Sequence, residues 1–185
     1  MSQEDNWGGL GALPGNPLMW VLIGSELLVF GAGLIGLAGA RLMQPELFAA
    51  SQASLDRVTA TINTAVLLTS GYFAALAVLA VRRGCVARAR AWLAAAGLLG
   101  LVFLGLKIFE YLEKAEAGIG LETNQFFMLY YLLTGFHLAH VVFGLIILAL
   151  VAVFARLETI ETGTAFWHMV DLIWVLIFPM IYLVR

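Results

Sequence analysis

Five stretches of the chain are apolar on every face for about twenty residues, which at ~1.5 Å rise per residue is enough to cross ~30 Å of hydrocarbon. They run over about Leu18–Ala40, Val58–Val81, Trp92–Leu112, Phe126–Phe154 and Phe166–Val184. The pattern predicts an all-α integral membrane bundle of five transmembrane helices, residues 18–185, behind a short N-terminal tail, residues 1–17. Pro14-Gly15-Asn16-Pro17 forms a turn into the first span, where proline suits a helix start. Between Arg41 and Arg57 the chain carries Gln44, Pro45, Glu46, Gln52 and Asp56, too polar to span, with Leu47, Phe48 and Leu55 beside them. That mixture predicts an interfacial connection folded as a short amphipathic helix. Rows of small residues, Ala32-Gly36-Ala40 and Ala96-Gly100, predict close helix packing. Trp167 reads as an interface anchor at the start of the fifth span, and Pro179, which lacks an N–H, predicts a kink near its end.

Composition removes several classes of function. Of 185 residues, 62% are hydrophobic and 12% charged, and the mean hydropathy is +0.96. A soluble globule is excluded, and no stretch remains for a soluble catalytic domain, so any chemistry lies between helices or on another subunit. A formal charge of −2 with no basic patch excludes nucleic acid as a partner. The single cysteine, Cys85, has no mate for a disulfide or a thiolate metal site. Residues 1–16 hold no Lys or Arg, so the first span is expected to be a retained helix and not a cleaved signal. Arg82, Arg83, Arg88 and Arg90 surround one connection. By the positive-inside rule that connection is cytoplasmic, which places the N-terminus inside and the C-terminus on the periplasmic or extracellular side.

Each ionisable group within a span needs a partner or a purpose, since a bare charge at mid-bilayer costs at least ~2.5 kcal/mol. Glu26 on the first span, His140 on the fourth and Asp171 on the fifth fall at similar depth. His137 and His140, like His168 and Asp171, are spaced to share a helix face. These five residues are expected to form a buried polar cluster in which Glu26 faces inward within reach of His140 or His137. Such a cluster acts either as structural glue or as a proton-handling site. Three histidines in all, at unequal depths, fit neither a dihaem site nor zinc, so no haem, metal or other cofactor is expected in this chain. On the third span Lys107 and Glu110 predict an ion pair near the outer end, with the lysine snorkelling to the interface. Asn63, Thr64, Thr69 and Ser70 are expected to hydrogen-bond between helices, at ~0.6 kcal/mol each.

Several of these segments together resemble subunit III of the haem-copper (cytochrome c) oxidases. They are Gly24-Ser25-Glu26-Leu27-Leu28-Val29-Phe30, Asn63 to Ser70, Phe103 to Tyr111, Thr134-Gly135-Phe136-His137-Leu138-Ala139-His140-Val141 with Gly144, and Trp167-His168-Met169-Val170-Asp171-Leu172-Ile173-Trp174. The resemblance covers about residues 17–185, in the family's order and in its short five-helix form. It implies a non-catalytic subunit of a respiratory complex in a bacterial inner membrane. Such a subunit supports assembly, stability or proton access beside a haem- and metal-bearing catalytic subunit and contacts membrane lipid, with a bound phospholipid allowed. The short Pro-Gly-Asn-Pro-Leu-Met-Trp lead-in, the compact loops and the Phe166 to Asp171 ending look most like the accessory subunit of nitric oxide reductases. A cytochrome c or quinol oxidase is the alternative complex, and a free-standing small transporter or proton channel the alternative of another class. Lys107, where the family usually has Gln, and Leu138, where it usually has Gly, depart from the pattern.

Overall fold

Hydrocarbon offers no hydrogen bond to a backbone N–H or C=O, so each apolar stretch closes its bonds internally as a helix. In the computed structural model, which describes residues 17–184, the order is α1 (Pro17–Met43), α2 (Pro45–Ala53), α3 (Arg57–Arg82), α4 (Val86–Glu116), α5 (Gln125–Phe154) and α6 (Leu157–Phe178). A π-helical turn, Pro179–Leu183, ends the last helix where the kink is predicted. Five of the helices are long and apolar enough to span a membrane. The turn predicted at Pro14–Asn16 lies outside the described residues.

Two boundaries differ from those read off hydropathy. The third span starts at Val86 and not Trp92, so Arg88 and Arg90 ride on α4, and the connection shrinks to Arg83, Gly84 and Cys85. The fifth starts at Leu157 and not Phe166. Hydropathy marks where the membrane is, whereas a helix continues into water wherever its residues allow. The Leu157–Ala165 stretch, with Glu158 and Glu161, is helical but polar. Gly84, at φ 75°, makes the tight turn between α3 and α4.

Local chemistry sets the other ends. Asp56 caps α3 by accepting from the amides of Val58 (2.9 Å) and Thr59 (3.3 Å). The Thr59 hydroxyl and amide hold its carboxyl below the usual carboxylate range. Asn124 caps α5 by accepting from the Phe127 amide at 3.0 Å. α2 forms the short helix expected, with proline at its first turn. Its Phe48, Ser51 and Gln52 are buried against the bundle end, and the Phe48 ring meets Phe126 edge-on at 5.4 Å.

The buried positions of α4, Ala89, Leu93, Ala96, Gly100, Phe103, Lys107 and Glu110, repeat every 3.5 residues on average. This is the seam of a left-handed helix pair. Its mate is α3. Asn63 Nδ2 donates to the Phe103 carbonyl (3.2 Å) and Ser70 Oγ to that of Ala96 (2.7 Å), so the partner number falls by seven as the residue number rises by seven, an antiparallel register. Thr64 joins by accepting from Trp174 Nε1 at 2.9 Å. Thr69 bonds within its own helix, to the Ala65 carbonyl.

The helix enclosed by the others is α6. Within their most apolar windows 56% of its residues are buried, against 11% for α1. Trp167 is not an interface anchor. It is 0% exposed, its indole N–H donates to Ser70 Oγ at 3.1 Å, and its ring occupies the room left by two glycines, Gly100 and Gly144. Ala96 and Gly100 therefore do pack, but Ala32 and Gly36 face outward; on α1 it is Gly33 that lies against Leu133.

A Cβ at Gly144 would stand 2.7 Å from the Trp167 ring, which has nowhere to go, whereas one at Gly36 meets nothing within 4 Å. Gly144→Ala is expected to cost about 1–3 kcal/mol, read as a lower thermal midpoint in detergent. Gly36→Ala is expected to leave the midpoint level or raise it by up to ~1 kcal/mol. Equal losses at both positions would contradict this packing.

Candidate functional site

The densest polar group lies where α4 ends, α5 begins and α6 gives way to its π turn. Lys107 is 1% exposed, so the snorkelling expected of it does not occur. Its ammonium donates to Glu110 Oε2 (3.0 Å), Tyr130 Oη (3.0 Å) and Tyr182 Oη (2.6 Å). Both tyrosine hydroxyls then donate to Glu110 Oε1, each at 2.7 Å. All three ammonium protons, both phenol protons and both carboxylate oxygens are used, and the charges cancel. The rings of Tyr130, Tyr111, Tyr182 and Trp174 surround the ammonium at 4.7 to 5.5 Å, adding cation–π attraction. A network so closed locks three helices together and has no free group to offer a substrate.

The π turn below it ends the helix, so its last carbonyls have no helical amide to bond them. Arg41 donates to the Met180 carbonyl (2.9 Å), and Gln52 donates to those of Ile181 (2.7 Å) and Val184 (2.8 Å). The α1–α2 corner thus fixes the turn from which Tyr182 reaches Lys107.

The other polar residues lie apart from this network and from one another. Glu26 Oε2 approaches His140 Nε2 at 3.1 Å, with the two side chains 20% and 14% exposed. The approach is an ion-pair contact and not an aligned hydrogen bond. His140 Nδ1 lies 2.8 Å from the Phe136 carbonyl. His137, three residues earlier, points elsewhere. It is fully buried, stacks on Trp174 with centroids 5.0 Å apart and meets Phe103 edge-on at 5.8 Å. Neither of its nitrogens has a hydrogen-bond partner among the described residues, so it packs here as an aromatic ring.

His168 Nδ1 lies 3.6 Å from Asp171 Oδ2. Asp171 is buried against α3 at Gly71, where a Cβ would collide with that oxygen. The structure therefore brings together Glu26 with His140, His168 with Asp171, and Lys107 with Glu110, and distributes the first five residues over three places. Among the described residues no three His, Cys, Asp or Glu side chains gather as a metal site. Sequence reasoning missed Tyr130, Tyr182, Arg41, Gln52 and Gly71. The one available signal was tyrosine near both helix ends that flank the Lys107 level.

With this geometry in place, comparison with known proteins gives a consistent result. A sequence profile described as cytochrome c oxidase subunit III matches residues 54–184. Cytochrome c oxidase subunit 3 of Thermostichus vulcanus is 32% identical over 175 residues, 88% of this chain and 84% of that protein. Cytochrome bo(3) ubiquinol oxidase subunit 3 of Pseudomonas aeruginosa is 34% identical over 130 residues, 66% of this chain and 62% of that one. A protein named heme-copper oxidase subunit I+III, from Aeropyrum pernix, is 30% identical over 181 residues, 90% of this chain but 22% of that longer protein.

Breaking the closed network at one point leaves a buried charge without its counter-charge. Lys107→Met is expected to lose about 3 kcal/mol or more, and Lys107→Met with Glu110→Gln to recover most of that loss. Thermal midpoints of the two variants and the parent in one detergent measure it. A double variant no better than the single one would show that the pair is not the unit.

Proposed function

The chain belongs to the cytochrome c oxidase subunit III family, and from that premise we propose that it is a non-catalytic accessory subunit of a haem-copper superfamily complex, specifically a nitric oxide reductase. The observation that carries the accessory role is where the interior polar side chains go. Asn63, Ser70, Lys107, Glu110, Tyr130 and Tyr182 bond to one another and to helix carbonyls. That arrangement supplies assembly and rigidity; haem and metal belong to the catalytic partner. The fused subunit I+III relative supports contact with a subunit I, since its name puts both on one chain. The Arg82 to Arg90 segment supports an orientation with that end in the cytoplasm.

Nitric oxide reductase is favoured by the Pro-Gly-Asn-Pro-Leu-Met-Trp lead-in, the compact connections and the Phe166 to Asp171 ending. A second reading, an oxygen-reducing cytochrome c or quinol oxidase, is supported by the names of the relatives. Purification of the tagged chain in a gentle detergent tests both. A haem-bearing membrane subunit is expected to accompany it in stoichiometric amount, and the recovered complex to turn over nitric oxide faster than oxygen. Recovery of the chain alone would overturn the accessory role, and oxygen turnover alone would replace the first reading with the second.

Glu26 acts in this reading as glue. Glu26→Leu strands the His140 imidazole and is expected to lower the yield of complex, while Glu26→Gln keeps a polar partner and leaves both yield and turnover near the parent's. Turnover that falls in Glu26→Gln with yield intact would assign proton handling to the pair instead, since an amide carries no titrating proton.

A further inference from the structure

Two outer grooves of the bundle ask nothing special of their surroundings. The one between α4 and α5, about 650 Å³, is walled by Leu, Ala, Val, Ile and Gly alone, so lipid tails satisfy it. In the one between α1, α3 and α6 the ionisable groups are Arg82 and Glu161, paired at 2.7 Å at the helix ends, and His168. His168 stands about 5 Å past the polar Leu157–Ala165 stretch, within reach of water and headgroups.

The face made by α1 and α5 differs. Glu26 and His140 meet in its seam, still 20% and 14% exposed. Glu26 is about 14 Å from the nearer end of α1 and His140 about 21 Å from the nearer end of α5, so both lie deep in hydrocarbon. Neither side chain is long enough to bring its polar end to the interface from there. Glu26 Oε2 takes no hydrogen bond among the described residues, and an accessible carboxyl at that depth is costly until protein covers it.

Beside this pair the surface of α1 allows close approach. Ser25, Val29, Ala32 and Gly36 follow at spacings of four, three and four, one outward stripe on the flank away from Trp20 and Ile23, which face the other groove. A Cβ on Gly36 would meet nothing within 4 Å. Across the seam the half-exposed Phe136 ring packs on His140, with centroids 4.7 Å apart. The stripe runs about 16 Å along the helix, a length over which a crossing helix makes contact. Lipid tails carry no hydrogen-bond donor, and a headgroup stays at the interface. A helix brings a donor to this depth and uses small residues to come close.

We infer, on the premise of the accessory role, that the α1–α5 face docks a membrane-spanning helix of the haem-bearing catalytic subunit. That helix lies along the Ser25 to Gly36 stripe and places a hydroxyl or amide donor against Glu26. The α4–α5 groove is left to lipid.

The test is site-specific photo-crosslinking in the assembled complex, with p-benzoylphenylalanine placed at Val29, or at Leu98 or Leu172 in the two other grooves. The haem-bearing subunit is expected in the adduct from Val29 and in neither of the others. Ala32→Trp, which fills the stripe without touching the interior, is expected to reduce co-recovery of that subunit about tenfold, while the isolated variant keeps the parent's thermal midpoint. Leu98→Trp is expected to leave co-recovery unchanged. A parent chain recovered without any haem-bearing subunit would overturn the accessory role itself. Co-recovery with no Val29 adduct to that subunit, an adduct from Leu98 or Leu172, a Val29 adduct to a second copy of this chain instead, or parent-like co-recovery of a folded Ala32→Trp would overturn the face and leave that role standing. Should Ala32→Trp lose its fold, the Val29 adduct decides.

Discussion

A polar group inside hydrocarbon has no solvent to fall back on, and the whole bundle is arranged around meeting that demand from within. The helix that meets most of it is α6. Trp167 reaches Ser70, Trp174 reaches Thr64, and Tyr182 closes the network of Lys107 and Glu110. Because lipid tails and leucine side chains are equally apolar, burial alone does not choose which helices associate. Hydrogen bonds with fixed partners, and indoles seated over glycines, make that choice. The result is a central helix held by α3, α4 and α5, with α1 on the outside.

The same logic explains a conspicuous charge. Lysine at residue 107 puts a full positive charge inside the bundle, which would be prohibitive alone. Glu110 is one turn away on the same face, and Tyr130 and Tyr182 arrive from two other helices, so each proton and each oxygen is matched. Arg41 and Gln52 bond the π-turn carbonyls of Met180 and Ile181 and so hold the turn that carries Tyr182. Sequence neighbours thus set the pair, and the tertiary fold completes it. The chemistry that results is cohesion between helices.

The legibility of these features in the sequence follows the range of the interactions. Five spans and an all-α fold are visible because apolar length is a local property. The Lys107–Glu110 spacing is visible because both lie on one helix, and the meeting of Glu26 and His140 follows from counting depth along two spans. Helix starts at Val86 and Leu157 are not visible, because hydropathy reports the hydrocarbon and the helices outrun it. The burial of Trp167 against Gly100 and Gly144 is a fact of packing, which its place at the start of the apolar stretch does not reveal. His137 shares a face with His140 by spacing, yet the Phe103 and Trp174 rings enclose it, a fact of packing that no pattern along one helix contains. Tyr130, Tyr182 and Gly71 stayed hidden for the same reason.

The Lys107–Glu110–Tyr130–Tyr182 network is spent on holding helices together and not on the partner's chemistry. Tyr182→Phe tests it most directly, because it removes one hydroxyl that both accepts from Lys107 and donates to Glu110 while keeping the ring. Yield of the assembled complex and turnover per complex are measured separately. A lower yield is expected, with the complexes that do assemble turning over at the parent rate. Full assembly with a reduced rate per complex would contradict it.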